Sequence, residues 1–242
     1  MSLNDGDYIL VDYTVKVKED DRIIDTTNEK EAREANIFDE NKVYGPELVI
    51  IGEGWLLKSV EEELKKMSVG EEKILEIPPE RAFGKRDPSK VRTVSIRDLL
   101  RKNIRPKVNE IISFDGKIAT VKRIGSGRVV LDFNHPLAGK TLIYRIKVIK
   151  KIESTDKKIK ELLRRRLRGV DLSKIKIIIE NRKASLILPQ NLLSISNINL
   201  ALKGLIADIK RYLSEITEFK IIFEAIFERK EEETSESSLE PA

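Results

Sequence analysis

The chain has 242 residues, 40% of them hydrophobic and 36% charged, enough for a sizeable core under a charged surface and for more than one domain. It has no cysteine and a single histidine, His135, which excludes disulfides, thiolate zinc sites and cysteine nucleophiles and leaves little for an imidazole-built metal centre. The net charge is +5, with basic residues crowded between Lys150 and Lys183 and an acidic run from Glu231 to Glu240, a balance that permits contact with nucleic acid or a ribosome without requiring it. No apolar run of about eighteen residues occurs and the opening residues lack a basic or apolar leader pattern, so the expectation is a cytoplasmic protein without a membrane span. Many Lys, Glu and Ile residues with only two Met lean toward a heat-adapted source.

In residues 8–17 Ile9, Val11, Tyr13, Val15 and Val17 alternate on one face of a strand. Asp20-Asp21 reads as a turn and Ile23-Ile24 as a short return strand. Thr27 to Tyr44 is polar, a loop with a helical piece near residues 29–35, and residues 48–51 are an apolar strand ended by Gly52-Glu53-Gly54. Leu57, Val60, Leu64 and Met67 recur at spacings of three and four, an amphipathic helix stopped by Gly70. Residues 73–77 form a strand that Pro78-Pro79 ends.

Beyond Ala82-Phe83-Gly84 the pattern changes. Ser95 can cap a short helix carrying Ile96, Leu99 and Leu100. Residues 111–114, Asp115-Gly116 and 117–124 read as a hairpin with a type I′ turn, and Gly125-Ser126-Gly127 leads into a third strand at 128–133. This small β-meander reads as an inserted module, after which Leu142, Tyr144, Ile146 and Val148 alternate again. A separate domain follows. Asp156 caps a helix carrying Ile159, Leu162, Leu163 and Leu167 that Gly169 closes. Strands at 175–179 and 184–188 flank Asn181-Arg182, a helix spans 200–213, and Ile221, Phe223, Ala225 and Phe227 line a last strand, giving an α-β-β-α-β unit. Residues 231–242, charged and Ser-rich, read as a disordered tail.

There is no P-loop, no HExxH and no locally marked Ser/His/Asp set. An enzyme without nucleophile, metal or cofactor works by binding and electrostatics alone. Rotation about an X–Pro bond needs nothing more: its barrier of ~18–20 kcal/mol is amide resonance. A dry apolar cleft with a donor for the displaced carbonyl favours the twisted state.

The run Pro46-Glu47-Leu48-Val49-Ile50-Ile51-Gly52-Glu53-Gly54-Trp55-Leu56-Leu57, continued by Val60 to Glu71, resembles the central segment of FKBP-type peptidyl-prolyl isomerases. Ile77-Pro78-Pro79-Glu80-Arg81-Ala82-Phe83-Gly84 resembles that family's IPPE-x-A-Y-G signature. Asn134-His135-Pro136-Leu137-Ala138-Gly139-Lys140-Thr141-Leu142 is similar to the re-entry segment of the SlyD-like subgroup, in which an insert-in-flap domain interrupts the catalytic one. The resemblance covers roughly residues 1–153, and the added C-terminal domain looks like the archaeal long form.

The resemblance implies an α+β fold in which an antiparallel sheet of about five strands wraps one helix. Residues 1–86 and 132–153 would form the isomerase domain, 87–131 an inserted β-rich chaperone domain, and 154–230 a C-terminal α+β domain ahead of the tail. It implies prolyl isomerisation with chaperone activity, no cofactor and no metal. Tyr13, Asp25, Leu57 and Phe83 would take the catalytic roles, and Ile24, Leu56, Val60 and Tyr144 would hold the substrate. Asp25 would polarise or orient the substrate, and the Leu57 backbone N–H, at a helix start, would donate to a substrate carbonyl.

Three positions depart from the family pattern: Val60 stands where Trp is common, Phe83 where Tyr is usual, and Glu47 where an apolar pocket residue is expected. They imply a modest pocket and weak macrolide binding. Trp55 either contacts the pocket rim or packs on the insert, and His135 reads as a loop hydrogen-bonder rather than a metal ligand. Ile96, Leu99, Leu100, Ile104, Ile111 and Ile112 give the insert an apolar inventory suited to holding clients.

The expected partners are proline-containing unfolded or nascent polypeptides, a second copy of the chain paired through the C-terminal domain, and a weak ribosome contact. The apolar stripe of 200–213 is either core or pairing surface, and the basic run Lys157, Lys158, Lys160, Arg164, Arg165, Arg166 and Arg168 is either a solvated face or an RNA contact. Two rival readings remain: a non-catalytic holdase and a ribosome- or RNA-binding scaffold.

Overall fold

The computed structural model describes residues 3–167 and 169–225, and the chain divides into two compact units, one ending at Glu153 and one beginning at Ser154. In the first, β1 (Tyr8–Val17), β2 (Arg22–Thr26), β3 (Glu47–Ile50), β4 (Glu72–Ile77) and β9 (Leu142–Ile152) form one antiparallel sheet. Strand β1 is its organiser. One edge pairs with β9 along its whole length, while the other is shared, Tyr8–Val11 with β3 and Thr14–Val17 with β2. The gap between the two partners falls at Asp12 and Tyr13. There Thr27 substitutes for a strand: its hydroxyl accepts the Tyr13 N–H at 3.0 Å, and its own N–H donates to the Tyr13 carbonyl at 2.9 Å.

The alternating residues of β1 and β9 face the helix α2 (Lys58–Leu64). Ile9, Val11, Val15, Leu142, Ile146 and Val148 close over Val60, Leu64 and Met67 in a single core. The apolar period runs on to Met67 although the α-helix ends at Leu64. A tighter turn, Met67 N–H to the Leu64 carbonyl at 3.0 Å, continues the same face before Gly70 reverses the chain at φ +89°. A short helix α1 (Glu29–Glu34), capped by Asn28, lies in the connection from β2 to β3.

Between β4 and β9 the chain builds a second antiparallel sheet in the order β5 (Val91–Ser95), β8 (Arg128–Asp132), β7 (Lys117–Gly125), β6 (Ile111–Phe114), with helix α3 (Ile96–Arg101) capped by Ser95. The expected three-strand meander thus has a fourth strand. β5 went unread because Arg92 and Thr93 are exposed and its valines only half-buried, so no apolar alternation marks it. The β6–β7 hairpin turns at Asp115-Gly116 with both φ positive, 51° and 72°, the geometry that an Asp-Gly pair adopts at low cost. Leu99, Ile112, Phe114, Ala119, Val121, Val129 and Leu131 make a separate core.

The second unit contains α4 (Thr155–Arg166), β10 (Lys176–Glu180), β11 (Lys183–Pro189), α5 (Ile198–Tyr212) and β12 (Glu218–Glu224), its sheet ordered β10-β11-β12 with β12 parallel to β11. Ser154, not Asp156, occupies the N-cap of α4, and Asp156 lies in the first turn, where its charge complements the helix dipole. Arg168, Phe227 and the tail 231–242 lie outside the described residues. Among the described residues no helix is long and apolar enough to cross a membrane.

Leu99 is fully buried in the small second core, so Leu99→Ala should remove about 2–5 kcal/mol from that sheet. Hydrogen exchange on the full chain should show faster exchange across β5–β8 with β1 and β9 unchanged.

Candidate active site

The loop before α2 is held by one side chain. Glu61, only 5% exposed, turns its carboxylate back over residues 52–56. Oε2 accepts the N–H groups of Gly52 at 3.0 Å and Gly54 at 3.4 Å, and Oε1 accepts those of Trp55 at 2.8 Å and Leu56 at 3.1 Å. The φ of +89° at Gly52 favours glycine; a Cβ there would also meet the Asp5 carboxylate at 2.5 Å, which that exposed side chain would have to vacate. The next donor along, the N–H of Leu57, has no hydrogen-bond partner among the described residues. It caps the start of α2, where free backbone donors are expected.

Leu57 itself packs against one apolar cluster. Tyr13, Val60 and Tyr144 are among its buried members, and Ile24, Leu56 and Leu57 pack on it half-buried, as do Ala82 and Leu137. The Tyr13 and Tyr144 rings stand 6.5 Å apart, tilted by 39°. Trp55 packs on this same core. The structure therefore brings Tyr13, Ile24, Leu56, Leu57, Val60 and Tyr144 together. Phe83 stands apart: 37% exposed, it lies flat on His135, ring centroids 4.2 Å apart and planes within 4°. His135 Nδ1 accepts the Leu137 N–H at 3.2 Å, the loop hydrogen bond expected of it.

One edge of the cluster is strongly polar. The Tyr13 hydroxyl reaches Asp25 Oδ2 at 3.0 Å and Glu47 Oε2 at 3.2 Å. Lys42 Nζ donates to Asp25 Oδ1 at 2.6 Å and to the Thr26 carbonyl at 3.0 Å, and lies 3.8 Å from Glu47 Oε1. Burial, then the charges of Glu47 and Asp25, push the Tyr13 hydroxyl far above the usual tyrosine range, so it stays a donor. Burial and the Asp25 charge push Tyr144 up to about 12. Sequence reasoning missed Lys42, which sits in a polar loop with no periodicity. It met Glu47 only as a misfit, and the misfit was the signal.

An apolar cluster, one unengaged backbone donor and a hydroxyl–carboxylate edge are groups suited to gripping a carbonyl without covalent chemistry. Family models described as FKBP26, IF domain and FKBP26_C-terminal match residues 92–137 and 155–226. The short-type peptidyl-prolyl cis-trans isomerase of Methanocaldococcus jannaschii is 38% identical over 143 residues, covering 59% of this chain and 90% of that protein. This chain belongs to the FKBP-type peptidyl-prolyl isomerases. The FKBP-type isomerase SlyD of Helicobacter pylori is 32% identical over 129 residues, half of this chain and 66% of that one. Among solved structures, the three FKBP domains of wheat FKBP73 align at 16% identity and a TM-score of 0.34, over 64% of this FKBP-type chain and 42% of that one.

Glu61→Gln should unfix the loop. An amide offers an NH₂ where the carboxylate accepted, leaving at least one buried donor unpaired at about 1–3 kcal/mol. Denaturant melts would show the loss, and amide exchange at Trp55 and Leu56 should rise.

Tyr144 gives a stability signature in alkali. The unfolded chain ionises it near pH 10 and the folded chain near 12, so its contribution is full below pH 10 and lost as pH rises through that window, by at most about 3 kcal/mol. Tyr144→Phe should flatten the fall in stability between pH 10 and 12.

Proposed function

We propose that the apolar cluster of Tyr13, Val60 and Tyr144 opens into a recess, and that this FKBP-type enzyme rotates X–Pro bonds of unfolded and nascent chains there. The observation that carries this reading is the unengaged N–H of Leu57, a residue packed on that cluster, with Asp25 bonded to the Tyr13 hydroxyl. The prolyl ring would fill the recess and shed its water. A planar amide keeps its dipole through resonance, and a dry site stabilises that dipole poorly, so the twisted amide is favoured relative to the ground state. Leu57 N–H would hold a substrate carbonyl, while Asp25, fixed by Tyr13 and Lys42, would orient the chain. Phe83 would cover the ring from its seat on His135.

The holding of unfolded clients belongs to the same proposal. It assigns residues 87–131 to an insert domain between β4 and β9. What supports it is an exposed apolar patch on the hairpin: Ile111 on the edge strand β6 and Ile118 on β7, the latter 72% exposed, share one face through the pairings Ile111–Thr120 and Ser113–Ile118. We place the enzyme in the cytoplasm, where nascent chains present such bonds. A homodimer through the second unit is proposed on Ile178 and Ile222, both exposed on its sheet. The ribosome contact is the weaker proposal. Arg166 is held by Asp208 through bonds of 2.7 and 2.6 Å and Arg164 by Glu161 at 2.9 Å, so part of the basic run is committed within the fold.

Refolding of a protein limited by a trans-to-cis proline step takes tens to hundreds of seconds uncatalysed, which makes acceleration easy to read. The wild type should accelerate it. Asp25→Ala should lower kcat/KM about ten- to a hundredfold, the equivalent of one hydrogen bond to a charged group. Removing residues 87–131 should slow protein refolding while sparing turnover of a short peptide. No acceleration at any concentration would end the catalytic reading and leave a holdase.

A further inference from the structure

The recess edge holds more negative charge than its neighbours neutralise. Around the Tyr13 hydroxyl stand two carboxylates, Asp25 and Glu47, and one ammonium, Lys42, a surplus of one negative charge. The donors are also too few. Tyr13 has one proton for two acceptors at 3.0 and 3.2 Å. Lys42 is largely buried, its side chain 21% exposed, and puts two of its three protons on Asp25 at 2.6 Å and the Thr26 carbonyl at 3.0 Å; its 3.8 Å separation from Glu47 is an ion-pair distance beyond hydrogen-bond length. Glu47 is therefore the under-supplied member. Its side chain is 41% exposed, on the first residue of β3, where a chain lying in the recess could reach it.

A purely structural role would not need this arrangement. The Tyr13 ring is already buried by its apolar neighbours, and Asp25 alone can accept its proton. An isoleucine or phenylalanine at position 47 would have extended the recess. An anion there weakens apolar contact and attracts positive charge instead.

We propose that Glu47 is a specificity-determining residue, which selects X–Pro bonds with a lysine or arginine immediately beside the proline. This inference rests on the recess being the isomerisation site. The cationic side chain would lie along the apolar rim with its charge on Glu47, its hydrocarbon stem covering Ile24 or Leu56. A partly exposed ion pair of this kind corresponds to a roughly three- to tenfold difference in kcat/KM between a cationic and an anionic neighbour.

The test is isomerisation of short peptides carrying Lys, Leu or Glu before proline, and a second series with the same residues after it, using the full-length chain. In at least one series Lys should be turned over fastest and Glu slowest, with the spread shrinking at high salt. Glu47→Gln should collapse the Lys-to-Glu ratio toward one, and Glu47→Lys should invert it. Equal rates for Lys and Glu peptides in the wild type would overturn the proposal, as would a Glu47→Gln variant that slows all peptides alike and keeps the ratio. Absence of turnover for every peptide would instead overturn the recess itself as the site, a result distinguishable from loss of selectivity alone.

Discussion

The site depends on the Glu61 carboxylate. Burying a carboxylate costs several kcal/mol unless it is met by strong hydrogen bonds. Here four backbone N–H groups and the first turn of α2 meet it. The return for that burial is geometric. Residues 52, 54, 55 and 56 are drawn to a single point, so the chain enters α2 in one conformation and the donor at Leu57 is the first left over. The other side of the helix start is tied down as well, since the Ser59 hydroxyl donates to the Arg81 carbonyl at 3.0 Å. The proposed recess would thus have a fixed wall before any substrate arrives, which is what non-covalent catalysis requires.

The second constraint is the split edge of β1. A strand with continuous partners on both sides would offer no opening along its length. By dividing one edge between β2 and β3, the fold leaves Asp12 and Tyr13 without a strand neighbour on that edge and fills the place with Thr27. On the far side of the sheet Glu31 of α1 accepts from the Thr14 hydroxyl at 2.6 Å and pairs with Arg145 of β9, so the interruption is braced. Burial works against the Glu31 charge, but the hydrogen bonds from Thr14 and Arg145 outweigh it and keep the carboxyl below its ordinary value.

Much of this was readable in the sequence wherever a single period governs burial. The alternation in β1 and β9 and the three-four spacing of Leu57, Val60 and Leu64 come from one-sided burial, so they show directly. The motif resemblance supplied six residues that gather in one apolar cluster, and also Phe83, which the structure sets apart on His135. What stayed hidden was set by side chains that meet from afar. Glu61 looks in sequence like Glu62 and Glu63, ordinary acids on a helix, and only the fold of the preceding loop singles it out. Lys42 is one cation in a polar loop until β2 brings Asp25 to it. Strand β5 failed for a different reason: being half-exposed, it carries no period at all.

The joint between the two sheets of the first unit decides how they could cooperate. Residues 84–87 and 132–139 cross there. Arg86 reaches Asp132 at 2.8 and 3.1 Å, the Asn134 side chain bonds both the N–H and the carbonyl of Asp87 at 2.9 Å, and the Gly139 N–H meets the Gly84 carbonyl at 2.8 Å. Burial raises the cost of the Asp132 charge, yet the bonds from Asn134 and Arg86 hold its carboxyl below the usual range, so the joint stays charged and intact at any physiological pH. On the client-holding proposal, a strand held along β6 would be tied to the isomerase sheet through this joint, and its proline would reach Tyr13 by movement of the client's own slack chain. The local concentration of X–Pro bonds at the recess would then be set by client length beyond the held segment, falling slowly as that segment lengthens. Phe83, stacked on His135 within the same crossing, would meet the arriving ring from a mount that the client's motion does not disturb.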